Sequence, residues 1–286
     1  MTTETTTRDL RVVTPAMRRL LIVAGVLVAL AGIQLFVFSE RTERFFAWTI
    51  DPPLTAAFLG GSYWASAFFE FSAARQRLWA FARISVPTVF LFTILTFGVT
   101  MLHIDRFHLG SDFEVGTRAV TWAWIAIYAT VPVVMAVVWW LQARQPGGDP
   151  HRERPLPVGL RVLVGTQGVV FAASGIVLLA APESASWWPW ELTALTGRAI
   201  GAWLVSFGLA AFHALGENCL VRLRPAVWAY TALGIMQVWA LARFPGDFAW
   251  GSVGGIVYLV MLASVLLAGI GGLALSRRFS PMPRQP

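Results

Sequence analysis

Two histidines and an aspartate in the loop after the third apolar segment have the residue types best suited to binding a metal. His103, Asp105 and His108 lie within six positions of one another, and imidazole and carboxylate groups are standard ligands of divalent metals. These positions do not share one face of an α-helix, so a metal site would need a loop. The alternative is an interfacial turn in which Asp105 pairs with Arg106 or caps a helix. We predict the turn, and no metal.

Two polar stripes on apolar segments are the other candidate site. Their members repeat at helical spacing, which places each stripe on one helix face near one membrane surface. They could form the polar floor of a cavity in each half, able to hold a headgroup or relay a proton. The alternative is that Glu70 reaches water or pairs with Arg75 or Arg77, and that His213 pairs with Glu217. The predicted ligand-binding residues are Tyr63, Ser66 and Glu70 in the first stripe and Ser206, His213 and Glu217 in the second.

The elements that carry these residues are membrane helices. The chain is 57% hydrophobic and 13% charged, where a soluble domain has roughly a quarter charged residues. Eight apolar segments approach or exceed the roughly 20 residues that cross a bilayer, and only helices satisfy the backbone within each of them. They are Arg19–Phe38, Leu54–Ala74, Ile84–His103, Ala119–Leu141, Val162–Ala181, Gly197–Leu215, Ala226–Ala242 and Val253–Leu275. The sequence predicts an all-α polytopic protein.

The arrangement of charge predicts the topology. All 22 basic residues are arginine, and the net charge is +7. The tails and even-numbered loops hold 16 arginines and the odd-numbered loops six. The positive-inside rule therefore places both termini in the cytoplasm of a multi-pass plasma-membrane protein. In this setting the positive charge indicates topology and a lipid bilayer as partner, and we predict no nucleic-acid binding.

The sequence indicates an internal repeat. Arg18, Gly25 and Gly32 recur as Arg161, Gly168 and Gly175, and Arg106-Phe107 recurs as Arg243-Phe244. Repetition at a near-constant offset predicts two copies of one structural unit. Four helices per copy is an even number, so both copies face the same way. We predict a disordered tail (1–16), a first repeat (17–144), a cytoplasmic linker (145–158), a second repeat (159–276) and a tail (277–286).

The second helix of the second copy carries a family resemblance. Arg198-Ala199-Ile200-Gly201, followed by the small-residue run around Gly208, resembles the second helix of DoxX-like four-helix membrane proteins. More broadly, the chain resembles uncharacterised actinobacterial membrane proteins in the stretch from His103 to Phe107 and in the following Trp122-Ala123-Trp124. The resemblance implies four-helix bundles with a small internal cavity. It supplies no catalytic residues.

No nucleotide-binding, hydrolase or metalloprotease motif occurs in the sequence. No two histidines lie at matching depth in the membrane for haem ligation, so we predict no cofactor. We therefore expect a non-enzymatic protein that binds a small hydrophobic or lipid-like molecule or serves as an accessory subunit, alone, as a homo-oligomer or with other membrane subunits. The alternatives are a transporter or proton-coupled permease that uses the same polar residues, and a quinone-linked redox subunit.

Overall fold

Helices make up the fold in the computed structural model, which describes residues 10–278. Within that range the only β-structure is two isolated bridges, Leu10 with Gly148 and Val12 with Leu78. Residues 1–9 and 279–286, most of the two predicted tails, lie outside the described residues. The eight long helices are α1 Pro15–Gly32, α2 Pro53–Ala74, α3 Ser85–Leu102, α4 Val115–Ala143, α5 Val158–Ala180, α6 Ala194–Glu217, α7 Arg224–Arg243 and α8 Val253–Arg278.

Seven helices in the described part of the chain are long and apolar enough to cross a membrane. They are α3 to α8 and α1, which a π-helical turn at Ile33–Val37 prolongs. Side chains on these helices leave much apolar surface exposed, as the hydrocarbon of a bilayer requires. The structure therefore confirms the predicted all-α class and identifies an integral, multi-pass membrane protein.

The remaining long helix, α2, is not among these seven, and it carries Ser62, Tyr63, Ser66 and Glu70. It is also a highly enclosed helix, and most of its residues are buried. Its 22 residues extend about 33 Å at 1.5 Å per residue. Since protein rather than lipid surrounds it, α2 can carry polar side chains that a lipid-facing helix would expose to hydrocarbon.

The eight predicted apolar segments coincide with the eight helices to within about one turn at either end. The differences arise at charged ends that hydropathy leaves out. At α1, Thr14 caps the helix by accepting a hydrogen bond from the Met17 backbone N–H, and Pro15 occupies the first turn. The helix therefore begins before Arg18 and Arg19.

Two ends of the bundle are defined by backbone contacts between loops. At the end that we call the linker end (residues 10–13, 75–84, 144–157 and 218–223), Arg11 N–H donates to Gly148 and Leu220 N–H donates to Arg154. At the opposite end, the tryptophan end (residues 38–52, 103–114, 181–193 and 244–252), Ala249 N–H donates to Pro189. Consecutive long helices run between these two ends in alternating directions.

The helices pack both within and across the halves of the chain. Within the halves, α1 packs on α2, α5 on α6, α3 on α4 and α7 on α8. Across the halves, α2 packs on α7 and α3 on α6. The α5–α6 contact brings backbones together: a Cβ built on Gly175 would lie 2.6 Å from the backbone nitrogen of Val205. Small residues permit such close approach between membrane helices.

The ends of α6 determine where its charged residues lie. Thr193 and Thr196 form a capping box at its N-terminus, which satisfies free backbone N–H groups. Asn218 ends the helix in the left-handed conformation, with φ of 41°, a conformation that asparagine adopts more readily than most residues. Arg198 is therefore held at the tryptophan end and Glu217 at the linker end.

Candidate functional site

Glu70 is completely buried on α2. Its Oε1 accepts a hydrogen bond from Ser66 Oγ at 3.1 Å, and its Oε2 has no hydrogen-bond partner. Among the described residues, no arginine forms a salt bridge with it. The alternative that Glu70 reaches water or pairs with Arg75 or Arg77 therefore does not hold. A carboxyl group enclosed by protein with one unpaired oxygen is an unusual feature that needs an explanation.

Tyr63 joins α2 to two other helices. Its hydroxyl lies 2.7 Å from that of Tyr128 on α4, and its ring is perpendicular to that of Trp203 on α6, with centroids 5.0 Å apart. Edge-to-face rings attract through their quadrupoles. The hydroxyl of Tyr63 is thus occupied by a protein partner in this structure.

A small cavity of about 90 Å³ lies between the halves, and we call it the central cavity. Ser66 and Ser206 both line it, although the sequence assigned them to two separate cavities. Ser206 Oγ donates to the Ala202 carbonyl. Tyr230 also lines the cavity, and its buried hydroxyl has no hydrogen-bond partner. The structure therefore brings one residue of each predicted stripe to a shared wall.

His213 and Glu217 belong to a charged cluster at the linker end. The Glu217 carboxylate forms salt bridges with Arg222 Nη1 at 2.9 Å and with Arg83 Nη2 at 2.5 Å. His213 Nε2 lies 3.7 Å from the same carboxylate. Asp149 of the linker also contacts Arg83. Arg222 and Glu217 are both buried, and a buried carboxylate needs such cationic partners. The cluster joins three loops and does not line the central cavity.

The predicted linker docks against the loop that follows α6. Leu156 N–H donates to Asn218 Oδ1 at 3.1 Å, Cys219 Sγ contacts the Glu153 carbonyl at 2.9 Å, and Arg222 donates to the Pro150 carbonyl. These contacts hold the connection between the halves against the second half. They also bring Asp149 beside the cluster around Glu217.

The two histidines that were considered as metal ligands, His103 and His108, have protein partners of their own. His103 Nε2 lies 2.9 Å from Arg198 Nη1 and so accepts its hydrogen bond. His108 is buried, with Nε2 3.0 Å from Thr49 Oγ1 and Nδ1 3.0 Å from the Phe46 carbonyl. Among the described residues no group of three His, Cys, Asp or Glu side chains could hold a metal. Burial, and then the neighbouring Arg198 guanidinium, lower the pKa of His103 below 6.5.

A larger cavity of about 370 Å³ lies at the tryptophan end among the helices of the second half. We call it the lateral cavity. Its volume falls within the roughly 300–1,000 Å³ of small-molecule pockets, and none of its lining side chains carries a charge. Its principal lining residues are Phe58, Phe171, Ser174, Ser186, Trp187, Trp188, Phe207, Gln237, Val253, Val257, Tyr258, Met261 and Val265.

The sequence did not indicate the lateral cavity. Trp187, Trp188 and Trp190 have the composition of an interfacial aromatic belt, and in the structure two of them instead line this cavity. Gln237 is an intramembrane glutamine of the kind that forms hydrogen bonds between helices. Its Nε2 donates a hydrogen bond to the Phe58 carbonyl of α2 at 3.0 Å. The sequence features that could have pointed to this cavity are the aromatic run from Trp187 to Trp190 and the intramembrane Gln237, both in the second half.

Comparison with known proteins gives no family for this chain. No protein-family model matches it, and no curated protein or solved structure is significantly similar to it. The resemblance to DoxX-like proteins consequently has no support beyond the residues that suggested it.

The contact between His103 and Arg198 predicts a dependence of stability on pH. Because the folded protein holds the pKa of His103 below its ordinary 6.5, the unfolded chain binds more protons, and stability is lost as the pH falls below about 6.5. We expect His103→Gln to reduce this loss, since a glutamine oxygen can still accept from Arg198. Thermal unfolding between pH 5 and pH 7.5 measures the change.

The control is His151→Gln, at an exposed position of the linker, which should leave the pH profile of the melting temperature as it is in the wild type. Part of the slope should persist in His103→Gln because burial also lowers the pKa of His108. An unchanged slope in His103→Gln would contradict the assignment.

Proposed function

We propose that the chain is an eight-span plasma-membrane protein built from two parallel four-helix repeats, residues 17–144 and 159–276. The count of eight is supported by parity. The segment at residues 10–13 contacts the linker end, and Leu275 near the end of α8 packs against the cluster that contains Leu156 and Leu220 at that same end. A chain that starts and finishes at one end crosses an even number of times, so α2 joins the seven apolar helices.

The repeat is supported by matching helix contacts. The main contacts within the first half, α1 with α2 and α3 with α4, have counterparts in α5 with α6 and α7 with α8. The two main cross-half contacts, α2 with α7 and α6 with α3, exchange under a two-fold operation. This is the pattern of two parallel copies around an axis along the membrane normal. In this arrangement the copies share a common core instead of forming two separate bundles.

The linker end faces the cytoplasm in this proposal, because it is the arginine-rich end. We expect a cysteine introduced at His151 in a Cys219→Ser background to resist a membrane-impermeant maleimide in intact cells. A cysteine introduced at Glu183, exposed at the tryptophan end, should react. Permeabilised cells, in which both should react, are the control, and the reverse labelling pattern would overturn the orientation.

We further propose that the protein binds a small apolar, lipid-like molecule. The observation that carries this function is the lateral cavity, which combines the volume of a ligand pocket with an uncharged, mostly apolar wall. The six residues predicted from the sequence contribute differently. Ser66 and Ser206 line the smaller central cavity, and the other four pack around it or seal the linker end. Of the six predicted residues, only Ser66 and Ser206 line either cavity, so we propose ligand binding by the predicted stripes only at the central cavity.

Filling the lateral cavity should remove the ligand. Met261 lines it, and overpacking costs roughly 1–3 kcal/mol, which corresponds to a loss of affinity of roughly 5- to 150-fold. We expect native mass spectrometry of the purified protein to detect a stoichiometric apolar ligand in the wild type and much less in Met261→Trp. Val260→Trp is the matched control because Val260 is exposed on the same helix outside the cavity. Equal occupancy in both variants, or no ligand in the wild type, would refute the function.

Proton-coupled transport is the second candidate function, and the unpaired oxygen of Glu70 favours it. An intramembrane carboxyl group without a cationic partner is typical of proton pathways. In liposomes that contain a pH-sensitive dye, the binding function predicts no proton flux. A flux that Glu70→Gln abolishes, and that Glu40→Gln at an exposed position preserves, would instead establish the permease.

A further inference from the structure

The wall of the lateral cavity excludes a charged occupant. None of its lining residues is acidic, basic or a histidine, and a charge buried in such surroundings would have no partner. The polar side chains at its inner part are already paired: the Tyr258 hydroxyl donates to Gln237 Oε1, and Gln237 Nε2 donates to the Phe58 carbonyl. An occupant therefore has to be uncharged where it enters the protein.

One buried hydrogen-bond donor in the wall has no partner. Trp188 is buried, lines the cavity, and its Nε1 makes no hydrogen bond. Four neighbouring rings hold its indole in position, among them Trp190 at 5.0 Å and Phe58 at 6.1 Å between centroids. The indole N–H can donate and cannot accept. It therefore selects a group on the ligand that accepts a hydrogen bond, such as a carbonyl or ether oxygen.

The shape of the cavity suits one hydrocarbon chain. Its wall follows α8 from Val253 to Val265, which is about 18 Å of helix at 1.5 Å per residue. The volume of about 370 Å³ lies near the lower end of the roughly 300–1,000 Å³ of small-molecule pockets, which favours an occupant with one chain over one with two. The donor Trp188 lies at the tryptophan end of this path, and the apolar Phe171, Phe207 and Val265 lie at its inner end.

The cavity is reached from the side of the bundle. Val253 and Val257 of α8 line it and are exposed, at 80% and 52%. Phe171 and Ser174 of α5 also line it, so the cavity extends between α5 and α8, two helices that pack loosely on each other. Since α5 and α8 are both long and apolar enough to cross a membrane, this side of the cavity borders lipid in the proposed topology. The occupant therefore comes from the bilayer.

We infer that the lateral cavity binds an uncharged single-chain lipid from the bilayer whose polar end accepts a hydrogen bond from Trp188 Nε1. The inference rests on the proposed binding function and specifies its ligand class. The chain lies along α8 with its oxygen-bearing end at the Trp187–Pro189 loop. In this proposal the apolar wall binds the hydrocarbon chain, and the indole N–H of Trp188 selects the polar end of the lipid.

The test uses the full-length protein in nanodiscs with three probes of similar length: dodecyl acetate, tetradecane and dodecanoate at pH 8. Native mass spectrometry should show dodecyl acetate bound one to one, and about fivefold tighter than tetradecane because the alkane leaves the indole N–H unpaired. Dodecanoate should bind weakest because of its charge. Trp188→Phe keeps the ring contacts and removes the donor, so it should bind dodecyl acetate and tetradecane equally.

Trp187→Phe is the matched control: Trp187 is a neighbouring tryptophan that also lines the cavity but is partly exposed, and the variant should keep the preference for dodecyl acetate. Wild-type preference in Trp188→Phe, or dodecanoate binding as tightly as dodecyl acetate, would overturn the inference. Equal binding of all three probes would be consistent with the proposed binding function but would contradict the inferred ligand class. Binding of neither a native ligand nor any probe would defeat the proposed function itself.

Discussion

The enclosure of α2 by other helices is the constraint on which the rest of the structure depends. A bilayer interior provides no water for polar groups, so a helix that carries Ser66 and Glu70 is tolerated only where protein surrounds it. Contacts with α1 on one side and α7 on another provide this enclosure. The neighbouring helices present their apolar faces to lipid, so α2 does not need a lipid-facing surface of its own.

The same packing separates the charged and the apolar parts of the molecule. Arginines concentrate at the linker end, where the buried charges of Arg222 and Glu217, together with Arg83, join the linker to two loops. Removing one partner of such a buried cluster leaves an uncompensated charge, so its members depend on one another. At the tryptophan end the contacts between loops are mainly aromatic and backbone contacts. A cavity without charge can form there because the charged contacts that close the bundle lie at the other end.

Differences between the two halves explain why the lateral cavity occurs in the second. In the first half, the rings of Phe46, Trp48 and Trp124 pack against one another, with centroids 4.5–5.2 Å apart. Val253-Gly254 begins α8 as Val115-Gly116 begins α4. In the proposed repeat, the smaller Leu262 of α8 therefore corresponds to Trp124. If the repeat holds, a leucine where the other half has a large ring leaves space for the lateral cavity in the second half, because interiors are otherwise close-packed.

Hydropathy and helical spacing by themselves determined the all-helical membrane class, the approximate ends of the eight helices, and pairs four residues apart such as Ser66 with Glu70 and His213 with Glu217. These features depend on the local period of one helix. Tertiary structure alone decided that Ser66 and Ser206 share a cavity, that His103 faces Arg198, and that Trp188 lines a pocket. The reason is physical: lipid-facing and protein-facing surfaces are equally apolar, so composition does not reveal which helices meet.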